Sequence, residues 1–325
     1  MQFTIDVKRL PLRIPFSITG YTFEHVDALQ VSLTQDGVSG RGEGIGIYYL
    51  DETADSMRAQ LESIRSDVEG GIDRTSLLER LPPGGARNAL DCALWDLEAK
   101  RSGTAIWELL ALQPRPLVTV ATVGIGTPEQ MAEAALRYAQ YDKIKVKLSA
   151  DEPIARLEAI RAARPDASIL IDVNQGWSFD ELREYAPAVA RLNVDMIEQP
   201  LPRGGDDILE GYRSPVPLGA DESCLSLAEY AKAARCYDVI SIKLDKCGGL
   251  TEALQIVDNA QRDGKELMVG NMVGTSLSMA PAFVVGQHCR FVDIDGPLLL
   301  EGDIEHALDY ATGGVVGLPS PQLWG

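Results

Sequence analysis

The fold is decided by the stretch from Lys143 to Asp295, in which short apolar runs end in charged or amide residues at regular intervals. In chain order the runs are KIKVKL (143–148), SILIDVN (168–174), VDMIEQP (194–200), PLGADES (217–223), VISIKLDK (239–246), LMVGNM (267–272) and FVDID (291–295). A parallel strand buried on both faces is apolar along its length, so its polar residues are informative where it ends. Segments of helical composition follow the runs, and this alternation predicts parallel strands connected by helices.

An eighth apolar run, 118–125, precedes this stretch and completes a set of eight strands. In a closed barrel of eight parallel strands, the carboxyl ends of all the strands meet at one mouth. Capping-box patterns at Thr127–Gln130, Ser178–Glu181 and Ser226–Glu229 predict that three helices begin just after strands. The sequence therefore predicts a barrel with its polar residues gathered at one end.

The residues before the barrel follow two other patterns. Alternating apolar residues over 2–50 predict antiparallel strands, and 51–100 has helical periodicity. Pro114 and Pro116 mark a linker. We therefore predict an α+β domain over 1–115, the barrel over 116–300, and a C-terminal segment, 301–325, that returns to the first domain.

Composition limits the classes of partner. The 325 residues are 45% hydrophobic and 24% charged, as in an ordinary globular protein. The net charge of −18 argues against nucleic acid and anionic membranes, which attract clustered Lys and Arg. No signal peptide or membrane span is evident, and the 5 cysteines are scattered, which favours a reducing compartment. We expect a cytoplasmic protein; a homo-oligomer is compatible with the sequence, which does not define the oligomeric state.

Other catalytic patterns do not match. The glycine-rich stretch GVSGRGEGIG (37–46) lacks the G-x-G-x-x-G spacing of a dinucleotide-binding loop and is not followed by a helix, so we expect tight turns there. The three histidines are isolated, and no G-x-S-x-G motif supports serine-type catalysis.

Three carboxylates end successive strands: Asp172, Glu198 and Asp221. Neighbouring carboxylates repel each other unless a cation neutralises them, and oxygen ligands with room for water and substrate suit Mg²⁺. Each carboxylate could instead cap a helix or pair with a lysine. Because three occupy equivalent positions, we predict one Mg²⁺ per site.

Lysines flank these carboxylates. Lys145 and Lys147 lie on the preceding strand, where the two-residue period points both into the barrel, and Lys243 lies on the following strand. A cation and a second lysine nearby are expected to lower a lysine pKa, which would make a neutral amine available as a base. Two opposed bases can remove a proton from one face of an α-carbon and return it to the other, while a metal ion stabilises the enediolate. The chemistry expected is racemisation or epimerisation.

These motifs resemble the muconate-lactonizing subgroup of the enolase superfamily, whose sites combine a Lys base with Mg²⁺. The matching segments are KVK (145–147), DVN (172–174), EQP (198–200), DES (221–223) and KLDKCGG (243–249). The resemblance covers the whole chain and implies an N-terminal α+β capping domain followed by a (β/α)₇β TIM-like barrel. It implies that Lys147 and Lys243 are the catalytic bases, that Lys145 assists at the substrate carboxylate, and that the metal ligands are Asp172, Glu198 and Asp221.

A further motif, Asp293-Ile294-Asp295, resembles the D-x-D of the dipeptide epimerases, where two carboxylates receive the substrate ammonium. The segments RNALDCALWDL (87–97) and IKLDKCGGLTEAL (242–254) are similar to the L-Ala-D/L-Glu epimerases. The resemblance implies a Mg²⁺-dependent enzyme that inverts the α-carbon of the C-terminal residue of a dipeptide, with Thr122 as a further substrate contact.

One position departs from the family. Those epimerases bind the substrate glutamate with an arginine in the first capping-domain loop, which here reads FSITGYTFEH (16–25). Phe23 aligns with that arginine, and Glu24 follows it. We therefore expect both to face the substrate, and a second substrate residue that is neutral, apolar or basic, so that L-Ala-L-Glu is not preferred. The alternatives are an N-acylamino acid racemase, an o-succinylbenzoate synthase and, more remotely, a non-catalytic ligand-binding barrel.

Overall fold

A computed structural model of the chain describes residues 1–18 and 20–325; Thr19, in the capping-domain loop, lies outside the described residues. The chain begins with a three-stranded antiparallel sheet in the order β1-β2-β3, made of β1 Gln2–Ile18, β2 Tyr21–Gln35 and β3 Val38–Ile45. The helices that follow are α1 Ala54–Ser63, α2 Arg65–Glu69, α3 Arg74–Arg80, α4 Gly85–Ser102 and α5 Ile106–Leu109. The sheet and helices α1 to α4 share one apolar core, which is the α+β unit that the sequence predicted, while Ile106 of α5 packs in the larger core of the barrel.

The glycine-rich stretch owes its composition mainly to packing. Gly37 has φ +81° and forms the predicted turn between β2 and β3. Gly40, Gly42 and Gly44 instead lie on one side of β3, and a Cβ at any of them would collide with the main chain of α4. The expectation of tight turns was therefore wrong for these three, because only glycine lets the strand approach the helix this closely.

The barrel prediction is confirmed. After β4 (Leu117–Val118), eight parallel strands pair in chain order. They are β5 Ala121–Val123, β6 Lys143–Lys147, β7 Ser168–Asp172, β8 Val194–Glu198, β9 Leu218–Ala220, β10 Val239–Ile242, β11 Glu266–Val269 and β12 Phe291–Val292. The Val120 N–H donates to the Val292 carbonyl at 3.0 Å, which joins the last strand to the start of the first and closes the barrel.

Helices occupy six of the seven connections between successive strands. They are α6 Pro128–Arg137, α7 Pro153–Ala163, α8 Phe179–Arg191, α9 Leu227–Cys236, α10 Leu244–Cys247, α11 Leu250–Arg262 and α12 Ser276–Gly286, and α13 Gly296–Leu299 follows the last strand. Between β8 and β9 the chain forms only a 3₁₀ turn over Asp206–Leu209. Two prolines and two glycines directly after β8, in PLPRGG (200–205), disfavour a helix there.

Two of the three predicted capping boxes form, with Thr127 and Ser178 as the capping residues. The third is wrong, since the Ser226 side chain makes no capping hydrogen bond. Its expected partner, Glu229, pairs instead with Arg203 at 2.6 Å and accepts the Leu225 N–H at 2.8 Å.

The end of the chain lies against the first domain. In the small sheet that begins with β4, β14 (Val315–Val316) pairs with both β4 and β13 (Tyr310–Ala311). The Trp324 indole N–H donates to the Cys92 carbonyl at 2.9 Å, and the Gly325 N–H donates to Asp96 at 2.7 Å. The domain boundaries at 115 and 300 stay a prediction. None of the described helices combines the length and the hydropathy that a membrane crossing requires.

Candidate active site at the barrel mouth

The barrel interior changes from apolar to charged within two residues along its strands. The floor is a buried apolar cluster formed by Val120, Leu170, Met196, Val239, Met268 and Phe291. Because side chains alternate along a strand, the residue two positions further points into the same interior. Those residues are Thr122, Asp172, Glu198, Ser241, Gly270 and Asp293. The charged groups therefore sit directly above an apolar floor, with low-dielectric protein beneath them.

The three carboxylates predicted as metal ligands come together. One oxygen from each of Asp172, Glu198 and Asp221 lies within 4.8 Å of the others, and all three side chains are fully buried. Burial alone would raise the pKa of Asp172, but the charges of Lys147 and Lys145 outweigh it and hold that pKa below its usual range. The pKa of Asp221 is likewise lowered, because Lys243 and Lys246 outweigh its burial. Both groups are therefore anionic at neutral pH.

The donor set fits a hard divalent cation. Glu198 Oε2 and Asp221 Oδ1 are buried and accept no hydrogen bond from the described residues. Each faces a lysine Nζ, at 2.6 Å and 2.7 Å, without the angle that a hydrogen bond requires. Carboxylate oxygens with unused lone pairs are the ligands that Mg²⁺ prefers. Asp172, Glu198 and Asp221 are the residues that would hold it.

Lys147 and Lys243 lie on either side of the three carboxylates. Lys147 Nζ donates to Asp172 Oδ2 at 2.6 Å and to Asn174 Oδ1 at 3.2 Å. Lys243 Nζ donates to Asp221 Oδ2 at 2.6 Å. Both lysines line the same cavity. Two amines thus face one space from different strands, β6 and the end of β10.

Lys145 lies deeper, at the centre of the charges. Its Nζ is 2.6 Å from Glu198 Oε2, 2.8 Å from Asp293 Oδ2 and 3.1 Å from Asp172 Oδ2. Burial would lower its pKa, but these three carboxylates raise the pKa well above the usual value. Lys145 is therefore a fixed positive charge that links the carboxylate cluster to Asp293.

The carboxylates around Lys243 raise the pKa of its ammonium group. A neighbouring cation and a second lysine were expected to lower it. Burial and the charge of Lys145 do lower the pKa of Lys243, but Asp221, together with Glu198 and Glu222, raises it more. With its carboxylate neighbours uncompensated, the Lys243 ammonium form is the stable one.

Asp293 and Asp295 are adjacent, as expected, although β12 ends at Val292 and the pair lies just beyond it. Asp293 accepts from Lys145 at 2.8 Å and from Asn271 Nδ2 at 3.1 Å. Asp295 accepts the Thr122 N–H at 2.8 Å. Burial and then the Asp293 charge raise the pKa of Asp295 to about 7. A cationic group would relieve this repulsion.

A cavity of about 280 Å³, which we call the main cavity, lies between the capping domain and the barrel mouth. Phe23 lines it and stacks with Tyr21, while Tyr48 packs edge-on against both rings. Glu24 does not line it; its side chain is exposed to solvent. The next residues along β2, His25, Val26 and Asp27, do line it.

Sequence reasoning missed several contributors. Lys246 Nζ lies 2.7 Å from Asp221 Oδ1 and donates to three buried carbonyls, those of Asp221, Cys224 and Ser241. Its position in the 239–246 run was the available signal. Further main-cavity residues come from distant segments and carry no common pattern: Leu12, Ile18, Tyr48 and Met272.

Family models match both parts of the chain. Residues 2–111 match the mandelate racemase/muconate lactonizing enzyme N-terminal domain, and residues 129–320 match the enolase C-terminal domain-like family. Two curated relatives are an N-acetyl-D-glutamate racemase from Pseudoalteromonas sp. and the L-Ala-D/L-Glu epimerase of Escherichia coli K12. The racemase is 41% identical over 88% of this chain and 91% of its own. The epimerase is 40% identical over 93% of this chain and 95% of its own.

The chain also superposes on solved structures of related proteins. An enolase family member from Agrobacterium tumefaciens with homology to dipeptide epimerases, holding sodium and L-Ala-L-Glu, superposes with a TM-score of 0.96 at 41% identity over 99% of both chains. A dipeptide epimerase from Enterococcus faecalis, complexed with Mg and L-Leu-L-Tyr, superposes with a TM-score of 0.90 at 27% identity over 98% of this chain and 96% of its own. These relatives confirm the predicted class of enzyme, an isomerase. The chain belongs to the mandelate racemase/muconate lactonizing enzyme family of the enolase superfamily.

Proposed function

We propose that the protein is a Mg²⁺-dependent dipeptide epimerase that inverts the α-carbon of the C-terminal residue. The observation that carries this is the pair Lys147 and Lys243, which lie on either side of a buried carboxylate cluster and line the same cavity. A substrate α-carbon between the two amines presents one face to each. Inversion needs only that one amine removes the proton and the other donates one.

The proton transfers belong to Lys147 and Lys243. Each amine is held by one carboxylate of the cluster, Lys147 by Asp172 and Lys243 by Asp221, both at 2.6 Å. These contacts orient the amines toward the cavity, and in each direction of the reaction one of them begins neutral. Mg²⁺, held by Asp172, Glu198 and Asp221, would stabilise the negative charge that develops on the substrate carboxylate. Lys145 assists at that carboxylate as a fixed positive charge.

The substrate ammonium is assigned to Asp293 and Asp295. Asp293 is already paired with Lys145, whereas the Asp295 carboxylate has no lysine or arginine among its described ion-pair partners. An ammonium there would offset the repulsion between the two carboxyl groups. The main-chain N–H of Thr122 fixes Asp295, so Thr122 acts as a positioning residue beside the ammonium.

The second residue of the dipeptide is assigned to the main cavity, and we infer that it is not glutamate. Apolar side chains line the cavity on the capping side: Leu12, Phe16, Ile18, Phe23, Val26 and Met272. The basic side chains in its described lining are those of Lys147, Lys243 and His25. With the two lysines engaged in catalysis and Phe23 in place of arginine, an apolar or neutral side chain fits best.

A second candidate function is racemisation of an N-acylamino acid, which the relatedness to an N-acetyl-D-glutamate racemase favours. Such a substrate carries no ammonium, and Asp293 and Asp295 would then face a neutral amide. The aspartate pair therefore favours the dipeptide. An o-succinylbenzoate synthase reaction lacks an ammonium for the same reason.

The test is deuterium incorporation at the α-carbon in D₂O, followed by mass spectrometry. L,L-dipeptides with varied second residues are compared with N-acetylated amino acids, each with Mg²⁺ and with a chelator. We expect Mg²⁺-dependent exchange into dipeptides with apolar second residues. Asp295→Asn should weaken dipeptide exchange and leave any exchange into N-acetylated compounds unchanged. Exchange confined to the N-acetylated compounds would establish the second candidate instead.

A further inference from the structure

A second cavity of about 180 Å³, which we call the side cavity, lies beside the aspartate pair. Its walls come from β1 of the capping domain, from the segment that leaves β5, and from one face of α6. Most of the lining is apolar, including Ile14, Phe16, Val123, Met131, Ala134 and Leu299. The polar groups Gln130, Arg137 and Tyr138 also line it.

The position of the side cavity links it to the proposed ammonium site. Thr122 lines the side cavity, and its N–H donates to Asp295 Oδ2 at 2.8 Å. Tyr138, also in the lining, is close enough that the Asp295 charge adds to burial in raising its pKa. The side cavity thus begins about one residue away from the carboxyl group that would hold the substrate ammonium.

Phe16 lines both cavities and separates them. The Ile125 N–H donates to the Ser17 carbonyl at 3.3 Å, so β1 rests directly on the segment after β5. The two cavities therefore adjoin each other at Phe16 of β1. A dipeptide carries two side chains, and its backbone would run between these spaces.

We propose that the side cavity receives the side chain of the first residue of the dipeptide, and that the enzyme prefers an apolar first residue larger than alanine. This rests on the proposed function. The side chain of an amino acid begins one bond from the carbon that bears its ammonium, so an ammonium at Asp295 places that side chain next to Thr122. A methyl group would leave most of the side cavity unfilled, whereas a leucine or methionine side chain would bury its apolar surface there.

The experiment compares L-Ala-L-Xaa with L-Leu-L-Xaa, where Xaa is whichever second residue exchanges best. For the wild-type enzyme we expect kcat/KM for the leucine dipeptide to exceed that for the alanine dipeptide by about 10-fold or more, the scale of discrimination in an apolar pocket. Ala134→Phe fills the side cavity from α6. We expect it to reverse this preference by lowering kcat/KM for the leucine dipeptide alone.

The matched control is Leu136→Phe, which adds a ring on the same helix at a residue that is 52% exposed and outside the lining. It should leave the preference unchanged. Equal kcat/KM for both dipeptides in the wild-type enzyme, or an unchanged preference in a folded Ala134→Phe variant, would overturn this inference while the epimerase function stands. If Ala134→Phe does not fold, the wild-type comparison and Ala134→Leu decide. No exchange into any dipeptide would overturn the proposed function and this inference together.

Discussion

The barrel mouth and the capping-domain wall of the main cavity hold their side chains by different forces. At the mouth, Lys145, Lys147 and Lys243 each have a carboxylate within 3.1 Å, and these groups are buried. On the wall, Phe23 is held by ring contacts with Tyr21 and Tyr48, and Tyr21 is partly exposed. Removing one member of a buried ion pair leaves an uncompensated charge, whereas changing a wall residue alters only shape and local polarity. Chemistry and specificity should therefore respond separately to mutation.

The largest effect is expected at the mouth. Lys147→Ala and Lys243→Ala should each lower the rate of epimerisation by about 10³-fold or more, near the upper end of what one general base contributes. Each variant keeps one amine, so we expect each to exchange deuterium into one substrate enantiomer only, and the two variants to select opposite enantiomers. Chiral chromatography with mass spectrometry measures both quantities.

The matched control is Lys232→Ala, since Lys232 is half exposed and pairs with Asp207 on the surface. It should retain the wild-type rate. A thermal melt of each variant separates loss of chemistry from loss of the fold. Full epimerisation by either lysine variant would contradict the two-base assignment. The mouth and the wall would then no longer differ in their response to mutation.

The sequence predicted which residues meet at the barrel mouth, because these residues share one register along their strands. Each stands at the end of an apolar strand, and the barrel brings strand ends together whatever their separation along the chain. The residues of the wall share no such register. Leu12, Tyr48 and Met272 meet only because the capping domain folds over the barrel. The same limit explains Glu24: its place beside Phe23 was evident from the sequence, but the exposure of its side chain to solvent was not.

A smaller effect is expected at Asp245, where the capping domain contacts the barrel. Its Oδ1 accepts the Ile45 N–H at 2.9 Å and Asn88 Nδ2 at 2.8 Å, both from the capping domain. Burial raises the pKa of Asp245 to about 7. The folded protein therefore holds a proton that the unfolded chain, with an aspartate pKa of about 4, has released. The free energy of unfolding should fall as the pH rises from about 4 to about 7.

Asp245→Asn keeps the accepting oxygen and cannot ionise. We expect the variant to gain stability relative to the wild type across this pH range, by at most about 4 kcal/mol for three pKa units, with a constant difference at higher pH. Urea unfolding at several pH values measures this. Asp180→Asn, at an exposed residue, is the control and should follow the wild-type profile. A stability difference independent of pH would show that Asp245 is ionised in the folded protein.

The smallest effect tests the wall alone. Phe23→Arg places a cation in the main cavity, and we expect kcat/KM for L-Ala-L-Glu to rise about 5-fold while dipeptides with apolar second residues lose activity, since a partly exposed ion pair contributes about 1 kcal/mol. Phe23→Leu keeps the wall apolar. It should neither raise kcat/KM for L-Ala-L-Glu nor lower kcat/KM for dipeptides with apolar second residues. Because Phe23 contacts none of the lysines or carboxylates in the described contacts, the enantiomer pattern of exchange should stay that of the wild type. A Phe23→Arg variant that lost all exchange in a folded state would show that the wall also positions the catalytic groups, so that specificity could not be changed without changing the chemistry.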